Sequence, residues 1–565
     1  LRAPNTTEPP TWELIYKRNS IERLKCDKPG LDVFAEIPAM IETGYEAVPE
    51  EDLVRLQWYG LYHDKPKTGR FMLRVKTPGG FLTPEKLRAI GRISHDLGGD
   101  YAELTTRQNI QLHDLELARL PEVLAELAAL GLDTAGACGD NVRNVTGCPL
   151  AGLDAEELFD VRPILEETAA FFRARPEYSN LPRKHKITIS ACPHQCNAPE
   201  IHCIALIGTI RAGGDRREGF SVRVGGGLST FPRLASDLGV FVPKEQAVSV
   251  LAAIVDTWRL DLRYRMSRAR ARLKFLIEDV GVEAFRARVE ERLGYRLEDG
   301  PAAEPIERAD PLHSGLHRQR QPGLWYAGFP VPAGLISGTR LLALADLAES
   351  FEGEIRLTRQ QNFLLANIPV ERRADVVAAV ARLGFPLDVS ELHGRSIACT
   401  GDPYCNFAVA ETKRRLGTIT DHLAARFGPA VADLAIHLDG CPHACAHHWT
   451  GDLGLQGTTL RERGPNGERR QGFDVFLRGA QGKEAAIGRP VLKRVPADQI
   501  HLVLERLVGA YLEQRLSGER LQQWLARSDD ADLVALSALP ELHSPVDSLD
   551  SAVYPSAVAA QTLEA

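Results

Sequence analysis

Apolar positions along the chain follow two periods. Over Pro84–Leu97 they recur at i, i+3 and i+4 (Leu87, Ile90, Ile93, Leu97), which predicts an amphipathic helix, and Leu120–Leu130 predicts a second one. Phe71–Lys76 and Ala102–His113 read as strands. That βαβα order predicts a small α+β sandwich on an antiparallel sheet. Farther on, Lys186–Val224 and Ile436–Phe476 alternate β-branched runs with Gly-rich turns. A Pro-, Gly- and Arg-rich stretch, Asp299–Gly323, reads as a linker, and the aperiodic residues from Ser544 onward as a loose tail.

The pattern repeats. ELTTRQNIQLHDL, ending at Leu115, resembles IRLTRQQNFLLANI, ending at Ile368. ITISACPHQC, ending at Cys196, resembles IHLDGCPHAC, ending at Cys445. Gly208-Thr209 and Gly457-Thr458 then match, as do Gly219-Phe220 and Gly472-Phe473, always at an offset of roughly 250 residues, so two copies of one unit succeed each other.

Length and charge narrow the class. With 565 residues the chain holds about three to four domains. A net charge of −7 from 68 basic and 75 acidic residues argues against a nucleic-acid scaffold. There is no apolar run of the ~18 residues a membrane span needs, and no apolar export segment at the N-terminus, so the expected setting is cytoplasmic. Ten cysteines are too few for a disulfide framework in so long a chain. Their clustering points to metal or redox chemistry.

The strongest cluster is C-T-G-D-P-Y-C, Cys399 to Cys405, followed by G-C-P-H-A-C with Cys441 and Cys445. Thiolates are soft ligands, and two loops with two sulfurs each can wrap an iron–sulfur cubane or one zinc ion. Nearby His437, His443, His447 and His448 would suit zinc, but zinc knuckles normally use two-residue spacers.

C-x5-C followed by C-x3-C in the second repeat resembles the siroheme-containing sulfite and nitrite reductases. TTRQN, DNVRNVTGCPLAG, LPRKHK, VGGGLST and RARLKFLIED extend the resemblance over nearly the whole chain. It implies an α+β fold of two pseudo-symmetric repeats, each a ferredoxin-like half-domain plus a larger mixed α/β domain, around a buried siroheme and [4Fe-4S] cluster. The expected organisation is an N-terminal extension (1–55), a half-domain (56–135), a siroheme- and anion-binding domain (136–298), a linker (299–323), a second half-domain (324–390), a [4Fe-4S]-binding domain (391–543) and a tail (544–565). Cys399, Cys405, Cys441 and Cys445 would hold the cluster, with Cys445 also bridging to the siroheme iron.

A small oxyanion that takes up electrons and protons together needs cations that bind it and deliver protons. The matching positions are Arg107, Arg143, Lys184 and Lys186, the two lysines sharing one face if that segment is extended. Siroheme carries eight carboxylates, so basic residues should line its pocket. Arg263 to Lys274 reads as one basic helical stretch, from which Arg272 and Lys274 are the expected contacts, with Arg74 and Arg183 as further candidates. Gly225, Gly226 and Gly227 would let backbone approach a flat macrocycle.

Alignment of the copies pairs Cys192 and Cys196 with Cys441 and Cys445, and Val145 and Ala151 with Cys399 and Cys405. By this reading the first copy lacks half a cluster site, and Cys148, Cys192, Cys196 and Cys203 are vestigial thiols rather than a second cluster. His443 and His447 stand where many relatives carry Asn and Arg. DNVRNVTGCPLAG looks nitrite-reductase-like, whereas Lys186 is the sulfite-type residue. No strand–GxGxxG–helix fingerprint is present, so electrons must come from another protein, for which the resemblance implies ferredoxin. Arg211–Arg217 and Arg461–Arg470 are its candidate contacts. The expected enzyme is monomeric, with no nucleic-acid or membrane partner. Two other readings remain: a cobalamin-pathway tetrapyrrole oxygenase of the same fold, and a zinc-bearing binding module.

Overall fold

The computed structural model describes residues 10–211, 216–306 and 312–539. The predicted tail, 544–565, lies outside them, as does part of the linker. Among the described residues no helix is long and apolar enough to cross a membrane.

The helices Pro84–Leu97 and Leu120–Ala129 form as their periodicity predicts, each with Pro in its first turn, where its missing N–H costs nothing. The first is capped by Thr83, whose hydroxyl accepts from Lys86 N. The predicted strand Ala102–His113, however, is two strands, Ala102–Leu104 and Ile110–Glu116, paired antiparallel. TTRQN is the turn between them. Thr105 N donates to Asn109 O, and Gln108 takes φ = +54°. Gln361 (φ = +63°) occupies the same place in the second copy. Gln there hides the turn from sequence inspection, because the left-handed region normally selects Gly or Asn.

The two half-domains exchange their short strands. Phe81–Leu82 pairs with Glu354–Leu357 of the second copy, and Leu335–Ile336 pairs with Ala102–Leu104 of the first. Each sheet therefore has five strands, one of them contributed by the other repeat. The helices Pro84–Leu97 and Gly338–Glu349 cross at Gly91 and Gly338. A Cβ on Gly338 would lie 2.6 Å from Gly91 O. The result is one continuous apolar core shared by both half-domains.

The larger domains each carry a mixed sheet with its own core. In the first, Thr146–Gly147, Ile187–Ser190 and Ile204–Arg211 run parallel, and the following strands turn antiparallel. Ile397–Ala398, Ile436–Asp439 and Leu453–Arg463 repeat that order in the second. The N-terminal helices lie on the first repeat, where Lys25 donates to Leu181 O and Arg265 pairs with Glu22 at 2.9 Å.

The register corrects the alignment of the cysteines. Thr146–Gly147 pairs with Thr188–Ile189, and Ile397–Ala398 pairs with His437–Leu438. Cys148 therefore stands opposite Cys399 and Asp154 opposite Cys405, not Val145 and Ala151. Two buried glutamines fix the same equivalence: Gln108 accepts from Gly147 N, and Gln361 from Ala398 N. The first repeat thus keeps three of the four cysteine positions.

Candidate active site

Cys399 ends the short strand Ile397–Ala398, and Cys405 follows on the next turn. Cys441 and Cys445 lie in the loop after Ile436–Asp439. That loop is held open by Asp439, which accepts from Ala446 N at 2.7 Å and from His448 Nδ1 at 2.9 Å. Ala444 and His447 both adopt positive φ within it, as Gln195 and Ala198 do in the first copy. The four thiols influence one another electrostatically. Burial pushes Cys441 up to about 12 and Cys399 and Cys405 above the usual thiol range. Three thiols that burial holds protonated need a bound cationic cluster to supply the charge that makes them thiolates. Among the described residues no three His, Cys, Asp or Glu side chains meet at single-ion spacing.

Cys445 differs from the other three. It is exposed between buried Ala444 and Ala446, and its carbonyl accepts from Thr106 Oγ1 at 3.0 Å across the repeat boundary. Its thiol acts electrostatically on Cys399, Cys405 and Cys441, and also on Lys184, Lys186 and Arg74.

Those cations converge from four elements. Arg107, on the TTRQN turn, donates to Asn144 O and lies 3.0 Å from His202 Nε2. Arg143 donates to Ala137 O (2.9 Å) and Gly139 O (2.7 Å). Lys184 and Lys186 flank His185, which bridges to Val142 just before Ile187–Ser190. Arg272 stands at the N-cap position of the helix Leu273–Val280 and donates to Cys203 Sγ at 2.9 Å. Desolvation in the cleft, reinforced by Arg143, Arg183 and Arg272, lowers Lys184 to about 7. Desolvation also lowers Lys186, aided by Arg107, Lys184 and Arg272, and it brings Arg107 to about 9. No carboxylate figures among the leading influences on any of the three. The Nε atoms of Arg107, Arg143 and Arg272 are buried without a partner. A cleft with this excess of cations wants an anionic occupant.

The other predicted residues sit around this cleft. Arg74 donates to Gln111 Oε1 and, at 3.0 Å, to Cys138 Sγ, beside Tyr62. Arg183 pairs with Asp140 at 3.2 Å. Lys274 donates to Gly227 O, Leu228 O and Phe231 O, so its ammonium clamps the glycine loop. Gly225 needs its left-handed backbone (φ = +84°), and a Cβ on Gly226 would lie 2.4 Å from His202 O. The basic stretch is not one helix. It forms two 3-10 turns, Leu262–Arg265 and Arg268–Arg270, ahead of the helix that starts at Leu273. The breaks let the arginines reach different acids: Arg263 meets Asp261, Arg265 Glu22, Arg268 Asp140 and Arg270 Asp279. The sequence reading does not single out His202 or Asp439, and it takes Cys203, which accepts from Arg272, as a vestigial thiol. Each touches a predicted residue or its loop, but none carries a spacing signal of its own.

Comparison with known proteins agrees with this geometry. The family model described as nitrite and sulphite reductase 4Fe-4S domain matches residues 138–297 and 394–532. The nitrite/sulfite reductase ferredoxin-like half domain matches 63–130 and 317–383. The chain belongs to the nitrite and sulfite reductase family. Members carry siroheme beside a [4Fe-4S] cluster, and the unpartnered guanidinium nitrogens, the close approach at Gly226 and the four thiols suit that pair of groups. Relatives include Sulfite reductase [ferredoxin] 2 of Mycolicibacterium paratuberculosis, 37% identical over 87% of this chain and 91% of the relative. Ferredoxin–nitrite reductase of Synechococcus elongatus is 36% identical over 87% of this chain and 96% of its own. The solved structure of the Mycobacterium tuberculosis NirA protein superposes with a TM-score of 0.86 at 34% identity, covering 92% of this chain and 99% of that one. Neither the tetrapyrrole oxygenase nor the zinc module is favoured by these relatives.

In this reductase the first-repeat cysteines have other surroundings. Cys148 hydrogen-bonds Cys192. Both pack among Leu150, Leu153, Tyr326, Leu364 and Ala366. In the register of the paired strands, Leu364 and Ala366 replace Gln111 and His113 of the other half-domain. Apolar side chains thus occupy space that is polar around the second-repeat cysteines. Cys192→Ser is expected to leave iron per chain unchanged; loss of iron on metal analysis would reveal a second metal site.

Proposed function

We propose that this enzyme is a six-electron assimilatory reductase, sulfite to sulfide and nitrite to ammonia, with sulfite favoured and ferredoxin as donor. It acts as a cytoplasmic monomer. One observation carries the reading: Lys184 and Lys186, with no carboxylate partner among the described residues, share the electrostatic influence of Cys445, the thiol that also acts on the other three cluster cysteines.

When bound, the siroheme and the [4Fe-4S] cluster supply the iron and the electrons for the reduction. Cys399, Cys405, Cys441 and Cys445 would hold the cluster. Arg272, Arg74 and the Gly225–Gly227 backbone would hold the siroheme, with Lys274 positioning that backbone. Arg107, Arg143, Lys184 and Lys186 bind the anion and offset charge developing on its oxygens. Lys184, lowered to about 7, can hold a proton at Nζ and release it near neutral pH. His443 Nδ1 lies 3.6 Å from Cys441 Sγ, and its ring meets Phe407 edge-on. Phe407, 60% exposed beside Cys405, is the apolar spot a donor protein would cover. The two arginine-rich hairpins are weaker contacts. Arg211 and Arg217 pair with Glu298, and Arg470 with Glu462 and Asp498. Residues 212–215 lie outside the described residues.

Reduced ferredoxin mixed with the holoenzyme should be oxidised on adding either sulfite or nitrite, yielding sulfide or ammonia; oxidation with neither anion would overturn the assignment. Lys186 is the residue expected to set the preference. Near neutral pH sulfite is largely a dianion with three oxygens, nitrite a monoanion with two. Lys186→Asn should lower the sulfite/nitrite ratio of kcat/KM by about tenfold or more, as expected when one charged hydrogen bond of roughly 1.5–3 kcal/mol is lost selectively. An unchanged or higher ratio would remove the preference for sulfite.

A further inference from the structure

Arg107 stands on a turn, and two acceptors fix the direction of its guanidinium. Nη2 donates to Asn144 O, and Nη1 lies 3.0 Å from His202 Nε2. The other ring nitrogen, His202 Nδ1, stands 2.8 Å from Ala198 O. A carbonyl oxygen can only accept, so Nδ1 carries the proton. A guanidinium can only donate, so Nε2 is the bare, accepting nitrogen. The buried imidazole is therefore neutral and held in one tautomer. Burial, reinforced by the charges of Arg107 and Lys186, keeps it so by holding its pKa well below the usual histidine range. Thr146 Oγ1 approaches the same Nε2 at 3.4 Å.

The carbonyl that fixes the ring belongs to the loop carrying Cys192 and Cys196. Gln195 (φ = +53°) and Ala198 (φ = +51°) hold that loop in left-handed backbone, as Ala444 and His447 hold the loop of Cys441 and Cys445. In the first repeat the loop thus serves a side chain of the anion site. The second repeat shows the converse. Strand register makes Gly451 the counterpart of His202, and Gln360 stands in place of Arg107 in the turn motif. A Cβ on Gly451 would lie 2.7 Å from His437 Cγ, so the ring of His437 fills that place. The copy without the arginine also lacks the imidazole. The two residues occur as a pair.

We propose that His202 is a positioning residue of the reductase: Nε2 accepts from Arg107 and aims its guanidinium at the anion, while Ala198 O fixes the ring. The proposal rests on the placement of Arg107 in the anion site, and His202 acts only through Arg107. Without the imidazole the positive charge stays nearby and still attracts the anion. Its alignment with the charge that grows on the reacting oxygens is what is lost.

The test divides the two bonds of the ring between two amides. His202→Asn puts an amide where Nδ1 stood and can keep the bond to Ala198 O. His202→Gln puts one where Nε2 stood and can keep the bond from Arg107. In the holoenzyme kcat for sulfite and nitrite should fall about tenfold or more in His202→Asn and stay within about threefold in His202→Gln. The Kd of nitrite, read without turnover from the siroheme spectrum of the oxidised enzyme, should move less than about threefold in both. Added to Arg107→Ala, His202→Asn should cost less than about a further twofold in kcat, because it acts through the residue already removed. The opposite ranking, with asparagine active and glutamine impaired, would make the ring a support for the loop and overturn the proposal. Additive losses in the double variant, normal kcat in His202→Asn, or loss of siroheme from either single variant would overturn it as well. Normal kcat in Arg107→Ala would overturn the placement of Arg107 itself, and this proposal with it; a low kcat there beside a normal one in His202→Asn would sink the proposal alone.

Discussion

Cys445→Ser should yield protein without siroheme and with its cluster iron lost, hence without activity. The expectation follows from where this sulfur stands. Cys399, Cys405 and Cys441 are drawn into the protein, and burial raises all three thiols. Cys445 alone opens toward the cationic cleft while still coupling to the other three. One thiolate placed between two metal centres would serve both, and a serine hydroxyl, far harder to ionise and a harder ligand, would serve neither well. The loop itself should survive, because Asp439 and the backbone at Ala444 and His447 shape it without using the sulfur. Iron analysis and the visible spectrum of the purified variant give the answer. A full siroheme spectrum would take the bridging role away from Cys445. If only the siroheme were lost, with four irons retained, the cluster would have to be held by three cysteines and another group.

Much of this site was legible because its residues lie in short runs whose spacing has chemical meaning. CTGDPYC with GCPHAC exposes four soft ligands at a glance, and LPRKHK exposes two lysines two residues apart. What sequence could not show was pairing. The two copies differ by small insertions, so matching letters put Val145 opposite Cys399, whereas strand register puts Cys148 there. The same holds for TTRQN. Its flanks are apolar enough to pass for one strand, and only the hydrogen bonds of Thr105 and Gln108 reveal a turn. The basic stretch failed as a helix for an electrostatic reason. Its arginines point to acids on different elements, one of them Glu22 in the N-terminal helices, which no local pattern could anticipate. Strand exchange between the half-domains was equally invisible, since two-residue strands such as Phe81–Leu82 carry no periodicity.

Removing either central arginine should cost turnover and spare the cofactors. Arg107 and Arg143 each spend their terminal nitrogens on backbone carbonyls or His202 and keep a buried, unpartnered Nε. They are held rigidly, with their charge uncompensated. A preorganised donor of this kind is worth about 10²–10³ in kcat, roughly 2.7–4 kcal/mol, when it faces charge that grows along the reaction. Arg107→Ala should therefore lower kcat for both sulfite and nitrite by that factor while the siroheme spectrum and iron content stay at their normal values. Arg143→Ala carries a second effect, because Ala137 O and Gly139 O lose their donor, at about 1–3 kcal/mol for each buried acceptor left unsatisfied. Arg143→Lys separates the two: a lysine can keep one carbonyl and the charge, so stability should largely return while kcat recovers only in part. The split between kcat and KM is the diagnostic reading. An arginine that merely bound the anion would raise KM and leave kcat alone. A variant of either residue with normal kcat would show that its charge does not face the reacting oxygens, and Lys184 and Lys186 would then carry the anion site between them.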